Sequence, residues 1–496
     1  MKMNHILPQH LASWVFAARN SRAVAVRCGE RWLSYQQLAA GARNLAQALP
    51  PLQVERPVYA LVMKKSIDAV QAIVAVLSIG GCYAPLDASY PVERLKAILD
   101  TLKPRAVLTD SHSDAIVRVI AGQMALPVIN IDNPTRLAEP MNSAVSQPMA
   151  AILHTSGSTG LPKSVHIGAA QIHAFTDWVI NEFNLSAADR VLNHAPLAFD
   201  LTFLDLFATF RAGATLILTT ESEAGSGARL RQICHQQRAT VWHSTPTSLR
   251  LLLMSDELAR FPDMRAVMFA GEPMPGELLT RLVALFPGAE FYNIYGSSEA
   301  NDTFCYRCPK TPIVDIVPMG YPLAYTDWLL LDEQQQPVDP EAGGELWVHC
   351  PTLMAGYGDA RLTQEVFRQF DGKRYFRTRD RVRRDAQGIF HFLGRCDWIV
   401  KLNGFRVDLL DVEQIALRSG CVEECVAFVS RRDGERQLEL VAYGSEAWNT
   451  LMLRQYMARY LPPYALPRRY HQSKTPLQKN SNGKLCRRSI TQQFNP

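Results

Sequence analysis

The sequence predicts an α/β protein of more than one domain, and three observations carry that reading. Short apolar runs alternate with amphipathic, helix-length stretches through roughly the first 300 residues, the signature of parallel sheets covered on both faces. Between about residues 314 and 402 the pattern changes to short strands with tight turns, a β-rich segment of hairpins. Beyond residue 397 a smaller α+β segment follows. At 496 residues the chain exceeds one simple core and has room for all three.

Strands are expected at 58–63, 106–108, 127–131, 150–154, 214–218, 240–243, 266–269 and 290–295, with helices such as 67–78 and 91–102 between them. The most apolar stretch, 69–86, is broken by Ser78, Gly80-Gly81 and Pro85, so it reads as a buried helix ending in a glycine turn and not as a membrane span. Residues 133–148, rich in Pro, Ser and Asn, read as a loop between two sheet-forming halves. The turn Asp385-Ala386-Gln387-Gly388 precedes a strand at 389–392. In the last segment we expect a helix at 411–418, a strand at 425–430, a turn at Asp433-Gly434, a strand at 437–443 and a helix at 446–460.

Composition narrows the function classes. Hydrophobic residues make up 47% and charged residues 20%, ordinary for a globular chain and far from extended disorder. No basic head followed by an apolar run opens the sequence, so no secretory signal is expected and the chain reads as cytoplasmic. The ten cysteines form no framework; the Cys305/Cys308 pair lacks the company a zinc site needs, and free thiols are expected. From 397 to 496 there are 15 Lys/Arg against 10 Asp/Glu, a surplus that equals the net charge of +5. That surplus is a solvated basic surface or a dock for an acidic partner, with Arg468, Arg469, Arg487 and Arg488 as its cations. No aromatic series is interleaved with the basic residues, which argues against nucleic acid.

One loop carries chemistry on its face. Thr155-Ser156-Gly157-Ser158-Thr159-Gly160-Leu161-Pro162-Lys163 directly follows an apolar strand. Its small residues let the backbone approach phosphate oxygens, its hydroxyls and amides donate, and Lys163 adds a point charge. The spacing is not that of a Walker loop. This segment resembles the phosphate-binding loop of the adenylate-forming superfamily, which includes acyl-CoA synthetases, luciferases and the adenylation domains of nonribosomal peptide synthesis. Further segments follow in family order: Gly80-Gly81-Cys82-Tyr83-Ala84-Pro85-Leu86-Asp87, Phe199-Asp200, Tyr295-Gly296-Ser297-Ser298-Glu299, Gly344-Glu345-Leu346, Thr378-Arg379-Asp380, Gly394-Arg395-Cys396-Asp397 and Asn482-Gly483-Lys484. The match covers nearly the whole chain. It departs from the family at Ser164 and Arg379, both usually Gly, at Ser298, usually Thr, and at Cys486, usually Asp.

The resemblance implies a large N-terminal domain, 1–396, of two doubly wound αβ subdomains plus a small β-barrel, and a small mobile C-terminal domain, 397–496. It implies ATP and Mg²⁺ as cofactors, with the acid activated as an acyl-adenylate. In that reading Thr155, Ser156, Gly157, Ser158, Thr159, Gly160 and Lys163 cradle phosphates, and Glu299 is the ligand of the metal. Tyr295 stacks on adenine, Asn293 bonds its amino group, and Gly271, Gly296 and Ser298 belong to the same nucleotide site. Asp380 accepts from the ribose hydroxyls and Arg395 gives a second ribose or phosphate contact. Lys484 reaches the substrate carboxylate and the α-phosphate as a cation. Asp397 is the hinge on which the small domain turns, and Lys401-Leu402-Asn403-Gly404-Phe405-Arg406 lines the path of a thiol nucleophile.

Asp200 separates the substrate classes. Amino-acid adenylating enzymes carry Asp here to pair an α-ammonium, and a charge in a closed pocket needs such a partner. By the same resemblance Leu201, Leu204, His243, Met268, Ala270, Ile294 and Asp302 (or its neighbour Thr303) line the side-chain pocket. Asp200, Leu201 and Leu204 resemble enzymes that load L-proline, whereas His243 suits a hydroxyl such as that of serine. No Gly-Gly-x-Ser site for phosphopantetheine is found near either end, so the implied acceptor is a separate, phosphopantetheinylated carrier protein in natural-product biosynthesis, with coenzyme A as the alternative. An acyl- or aryl-CoA synthetase and a non-catalytic relative are the competing readings; no nucleic acid or membrane is implied.

Overall fold

A computed structural model describes residues 11–494 except 19, 51–56, 134–148, 156–161, 255–260, 314, 433–434, 445–447 and 480–484. The chain divides into two compact units. One comprises Met1–Ala88, Lys103–His154 and Ser164–Cys396, and the other Ser89–Leu102, Thr155–Lys163 and Asp397–Pro496.

A nine-stranded sheet dominates the first unit. Six parallel strands form its centre in the spatial order Glu290–Ser297, Ala266–Ala270, Val241–Ser244, Arg190–Asn193, Thr215–Leu218 and Val24–Cys28. Antiparallel strands Asn301–Cys308 and Tyr321–Pro322 extend one edge, and Arg31–Ser34 the other. Alternation along each strand divides the core between two faces. Trp242, Val267, Phe269 and Phe291 pack with helix residues Leu230, Leu249, Leu279 and Leu282 in one buried cluster. Val241, Ala266, Met268, Ala270 and Ile294 belong to a second.

A seven-stranded sheet runs Gly356–Tyr357, Lys163–Gly168, Met149–Thr155, Cys82–Asp87, Val58–Met63, Ala106–Thr109 and Val128–Asn130. The helix Ile67–Ser78 has nine buried residues and starts where the Ser66 hydroxyl accepts from the Ala69 amide at 3.1 Å. It ends at Gly80, whose φ of +78° suits glycine, and the chain turns straight into Cys82–Asp87. The expected glycine turn is therefore present, with a strand after it. Both sheets are mixed and not wholly parallel: hairpins extend the edges of the nine-stranded sheet, and Gly356–Tyr357 pairs antiparallel with Lys163–Gly168 in the seven-stranded one.

The segment expected as a small barrel is a five-stranded antiparallel sheet, Asp327–Leu331, Gly344–His349, Lys373–Arg384 and Phe367–Phe370, with Phe390–Arg395 paired to Lys373–Arg384.

The second unit has its own core, including Leu402, Val412, Ile415, Leu440, Leu453 and Met457. Ile399–Leu402 and Phe405–Asp408 form a hairpin whose loop residues Asn403 and Gly404 have φ of +53° and +83°, the two positive values that a tight primed turn demands. Helix Leu409–Arg418 starts on Asp408, which accepts from the Leu410 amide at 3.0 Å. Strands Glu424–Arg432, Glu435–Tyr443 and Arg469–Gln472 make a sheet. The helix expected at 446–460 is shorter, Thr450–Met457, because Asn449 caps its start by accepting from the Leu451 amide at 2.7 Å. The turn expected at Asp433-Gly434 and the loop from 134 to 148 lie outside the described residues. Among the described residues no helix is long and apolar enough to cross a membrane, and all ten cysteines are free thiols.

Candidate active site

Three of the residues expected at the nucleotide meet at one carboxylate. Asp380 and Arg395 face each other across the antiparallel strands Lys373–Arg384 and Phe390–Arg395. Arg395 Nη1 donates to Asp380 Oδ1 at 2.6 Å, and the Tyr295 hydroxyl donates to Oδ2. Asp380 is buried, and its backbone amide donates to Thr378 Oγ1 at 3.1 Å. A carboxylate has about four acceptor positions, so it takes several donors at once, as hydroxyl groups of a ligand would require. Burial pushes the Tyr295 phenol well above its ordinary value, with the adjacent Asp380 charge second, so Tyr295 stays a donor. The residue before Asp380 is Arg379, at φ +60°. A left-handed backbone explains the family's glycine here, and this chain keeps the shape with an arginine in it.

Asn293 spends its amide hydrogens on the protein: Nδ2 donates to the carbonyls of Pro318 at 2.7 Å and Val317 at 3.4 Å. Its Oδ1 is then the atom it has to offer a ligand, an acceptor as an amino group requires. Gly271 follows strand Ala266–Ala270 at φ +89°. Gly296 has no space for a side chain, since a Cβ would lie 2.1 Å from the Asn301 carbonyl oxygen.

That crowding comes from the hairpin between Glu290–Ser297 and Asn301–Cys308, whose turn carries Ser298 and Glu299. Glu299 is 1% exposed, and its Oε1 accepts from the Tyr357 hydroxyl at 2.8 Å. Tyr357 was not singled out from the sequence; an aromatic in a Gly-Tyr-Gly run carries no signal of its own. Among the described residues no group of three or more His, Cys, Asp or Glu side chains stands ready to hold a metal. One hard carboxylate is nonetheless what Mg²⁺ asks of a protein when phosphates and waters supply its other ligands, so Glu299 fits that ion.

Asp200 precedes a helical segment, yet its carboxylate is taken up elsewhere: Oδ2 accepts from the Ser298 hydroxyl at 2.7 Å. The nucleotide-side turn and the expected ammonium partner are thus bonded to each other. Four of the residues expected at the pocket, His243, Met268, Ala270 and Ile294, share one face of the nine-stranded sheet by register. His243 is the Cα partner of Met268, and Ala270 that of Ile294. Leu204 is fully buried and Leu201 half-buried on the segment after Asp200. His243 is 2% exposed, and neither ring nitrogen makes a well-formed hydrogen bond, the Leu201 backbone being at most a weak partner. Burial pushes its pKa down to about 4, against a smaller opposing pull from the Leu201 backbone, so the ring is neutral at pH 7. Asp302 is buried and is the Cα partner of Gly296; Thr303, also buried, donates to the Tyr295 carbonyl at 3.3 Å.

In the second unit, Thr155 ends its strand with a buried hydroxyl that has no hydrogen-bond partner, and Lys163 begins the next strand. Asp397 Oδ1 accepts from the Ile399 amide at 3.2 Å. Arg487, expected among the docking cations, is bound by Glu413 and lies 4.6 Å over the Trp398 ring. Its charge is answered inside the fold, which corrects that expectation. Ser156, Gly157, Ser158, Thr159, Gly160 and Lys484 lie outside the described residues.

Comparison with known proteins agrees with this geometry. The model of the family described as AMP-binding enzyme matches residues 14–358. An L-proline–[L-prolyl-carrier protein] ligase of Pseudomonas fluorescens is 31% identical over 505 aligned positions, covering 96% of this chain and 97% of that protein. A D-alanine–D-alanyl carrier protein ligase of Bacillus licheniformis is 28% identical, with 94% of each chain covered. The Vibrio cholerae adenylation domain AlmE, solved in complex with glycyl-adenosine-5'-phosphate, superposes with a TM-score of 0.83 at 22% identity, covering 100% of this chain and 99% of that one. That likeness shows the fold. The chain belongs to the AMP-binding, adenylate-forming enzymes and is an ATP-dependent adenylating ligase.

Proposed function

We propose that this enzyme activates a small neutral amino acid as its aminoacyl-adenylate and passes the acyl group to the phosphopantetheine thiol of a separate carrier protein. The observation that carries the amino-acid reading is Asp200, a carboxylate held by Ser298, where the side chains assigned to the pocket are mostly apolar. A fatty or aryl acid offers nothing to neutralise that charge, whereas an α-ammonium does. The curated relatives named as carrier-protein ligases, matched along nearly their whole length, support the acceptor.

In the first half-reaction an oxygen of the substrate carboxylate attacks the α-phosphorus of ATP, and pyrophosphate leaves with the electron pair of the broken bond. The work asked of the chain is alignment and charge neutralisation. Asp380, with Arg395 and Tyr295 around it, would hold the ribose; Asn293 would accept from adenine. Thr155, Lys163 and the loop between them would seat the phosphates. Mg²⁺ arriving with ATP would be held by Glu299 and would offset phosphate charge. Lys484 would stand between carboxylate and α-phosphate. Rotation about Asp397 would then bring the Lys401–Arg406 face to the adenylate for thiol attack.

L-proline is the leading substrate, on Asp200, Leu201 and Leu204 and on the proline-specific relative. The nitrogens of His243, without a well-formed hydrogen bond, favour a second reading, a side chain with a hydroxyl such as serine. Pyrophosphate exchange into ATP across an amino-acid panel tests both; exchange only with fatty or aryl acids contradicts them.

A further inference from the structure

Behind the proposed amino-acid pocket lies a polar seat that no pocket assignment uses. Leu204–Ala208 is a π-helical turn, a loosened geometry that recurs at functional sites, and it begins four residues after Asp200. It carries Asp205, which is fully buried among Phe203, Leu204, Leu206 and Phe207. Asp205 Oδ2 accepts from Asn193 Nδ2 at 2.8 Å, while Oδ1 has no partner. Asn193 is itself fully buried and is the Cα partner of His243 in the neighbouring strand. The Asn193 strand end is gripped from the other side. Lys65 Nζ donates to the carbonyls of Asn193 at 3.4 Å, His194 at 2.9 Å and Ala195 at 3.2 Å, and to Thr219 Oγ1 at 3.1 Å. Burial pushes the Asp205 carboxyl up to about 8 and the Lys65 ammonium down to about 8, each partly offset by the other.

A buried polar network in a core is retained at a cost that apolar side chains of the same volume avoid. Here it joins two walls of the same pocket: the turn bearing Leu204, and the strand lying in register with His243. We infer that Asp205, acting through Asn193 and Lys65, is a positioning residue for the amino-acid pocket, setting the π turn against the His243 strand. It touches neither substrate nor nucleotide in this account, and the inference rests on the amino-acid reading above. Among the described residues, the hydrogen bonds of Asp205, Asn193 and Lys65 go to none of Asp380, Arg395 and Tyr295, so the effect should fall on the amino acid and spare ATP.

The test is steady-state pyrophosphate exchange by the full-length enzyme and its Asp205→Leu, Asp205→Asn and Asn193→Leu variants, with KM measured separately for the amino acid and for ATP. Asp205→Leu fills the site with apolar volume and removes the tie. Asp205→Asn keeps an acceptor for Asn193. The expected result is an amino-acid KM raised about tenfold or more in Asp205→Leu, within about threefold of wild type in Asp205→Asn, and an ATP KM unchanged in both; loss of one buried hydrogen bond, with the Asn193 donor left unsatisfied, accounts for that factor. Asp205→Leu combined with Asn193→Leu should be no worse than the worse single variant, since both break one tie. A wild-type amino-acid KM in Asp205→Leu overturns the inference, as does an equal rise in both KM values. Absence of amino-acid-dependent exchange in the wild-type enzyme would instead overturn the amino-acid reading.

Discussion

The hydroxyl of Ser298 donates to the carboxylate of Asp200 at 2.7 Å, tying the turn beside Glu299 to the residue proposed to receive the substrate ammonium. In the proposed site the bond would link the amino-acid and nucleotide ends through side chains 98 positions apart in sequence. Its loss should separate their contributions. Ser298→Ala removes one donor to a charged acceptor, worth about 1.5–3 kcal/mol, so the amino-acid KM should rise about tenfold or more. Asp200→Asn leaves the ammonium without its charge partner, and kcat/KM for the amino acid should fall at least about thirtyfold, from the roughly 2–5 kcal/mol that such pairs carry. Exchange kinetics read both. An Asp200→Asn enzyme within threefold of wild type would rule out ammonium pairing.

Arg379 gives a second test, on stability. Its φ of +60° costs an L-residue roughly 1 kcal/mol that glycine avoids. Arg379→Gly should therefore raise the unfolding free energy by up to about 1 kcal/mol, read as a higher denaturation midpoint, while leaving the ATP KM unchanged, and Arg379→Ala should show no such gain. A lower midpoint for the glycine variant would mean that the arginine side chain earns its place by contacts.

His243 makes stability depend on pH. Folded, its imidazole binds a proton only near pH 4; unfolded, it does so near 6.5. Between those values the unfolded state holds more protons, so stability falls as pH drops from about 6.5 towards 4 and levels off below. The whole effect is about 3 kcal/mol, of which about 2 lies between pH 7 and pH 5. In His243→Gln the loss between pH 7 and pH 5 should shrink by that amount, measured by urea titration at each pH. An unchanged slope would show that the ring is not held neutral.

Much of this site is legible in the sequence because its chemistry rests on residues whose types are hard to replace. The strand at 58–63 and the helix at 67–78 appear with those bounds, as continuous apolar runs bounded by punctuation. Asp380, Arg395 and Tyr295 lie in separate motifs; strand pairing brings Arg395 to the Asp380 carboxylate, and Tyr295 reaches it from a different sheet. Short strands such as Arg31–Ser34 and Arg190–Asn193 escape notice because four residues with an arginine among them show no clear period. Asp205 was visible as a charge inside the apolar run Phe203-Leu204-Asp205-Leu206-Phe207, but its partners Asn193 and Lys65 are distant in sequence. Arg487 looked like surface charge for the opposite reason: its partner Glu413 is 74 positions away.

The central claim is that a bound amino-acid carboxylate attacks ATP with Lys484 neutralising the developing charge. Amino-acid-dependent exchange of labelled pyrophosphate into ATP measures that step directly, in the wild-type enzyme and in Lys484→Ala. The account predicts exchange with proline or another small neutral amino acid, reduced at least about a hundredfold in Lys484→Ala, the scale set by removing one group that stabilises transition-state charge. Undiminished exchange in that variant would contradict the role of the lysine, and no exchange with any amino acid would contradict the function itself.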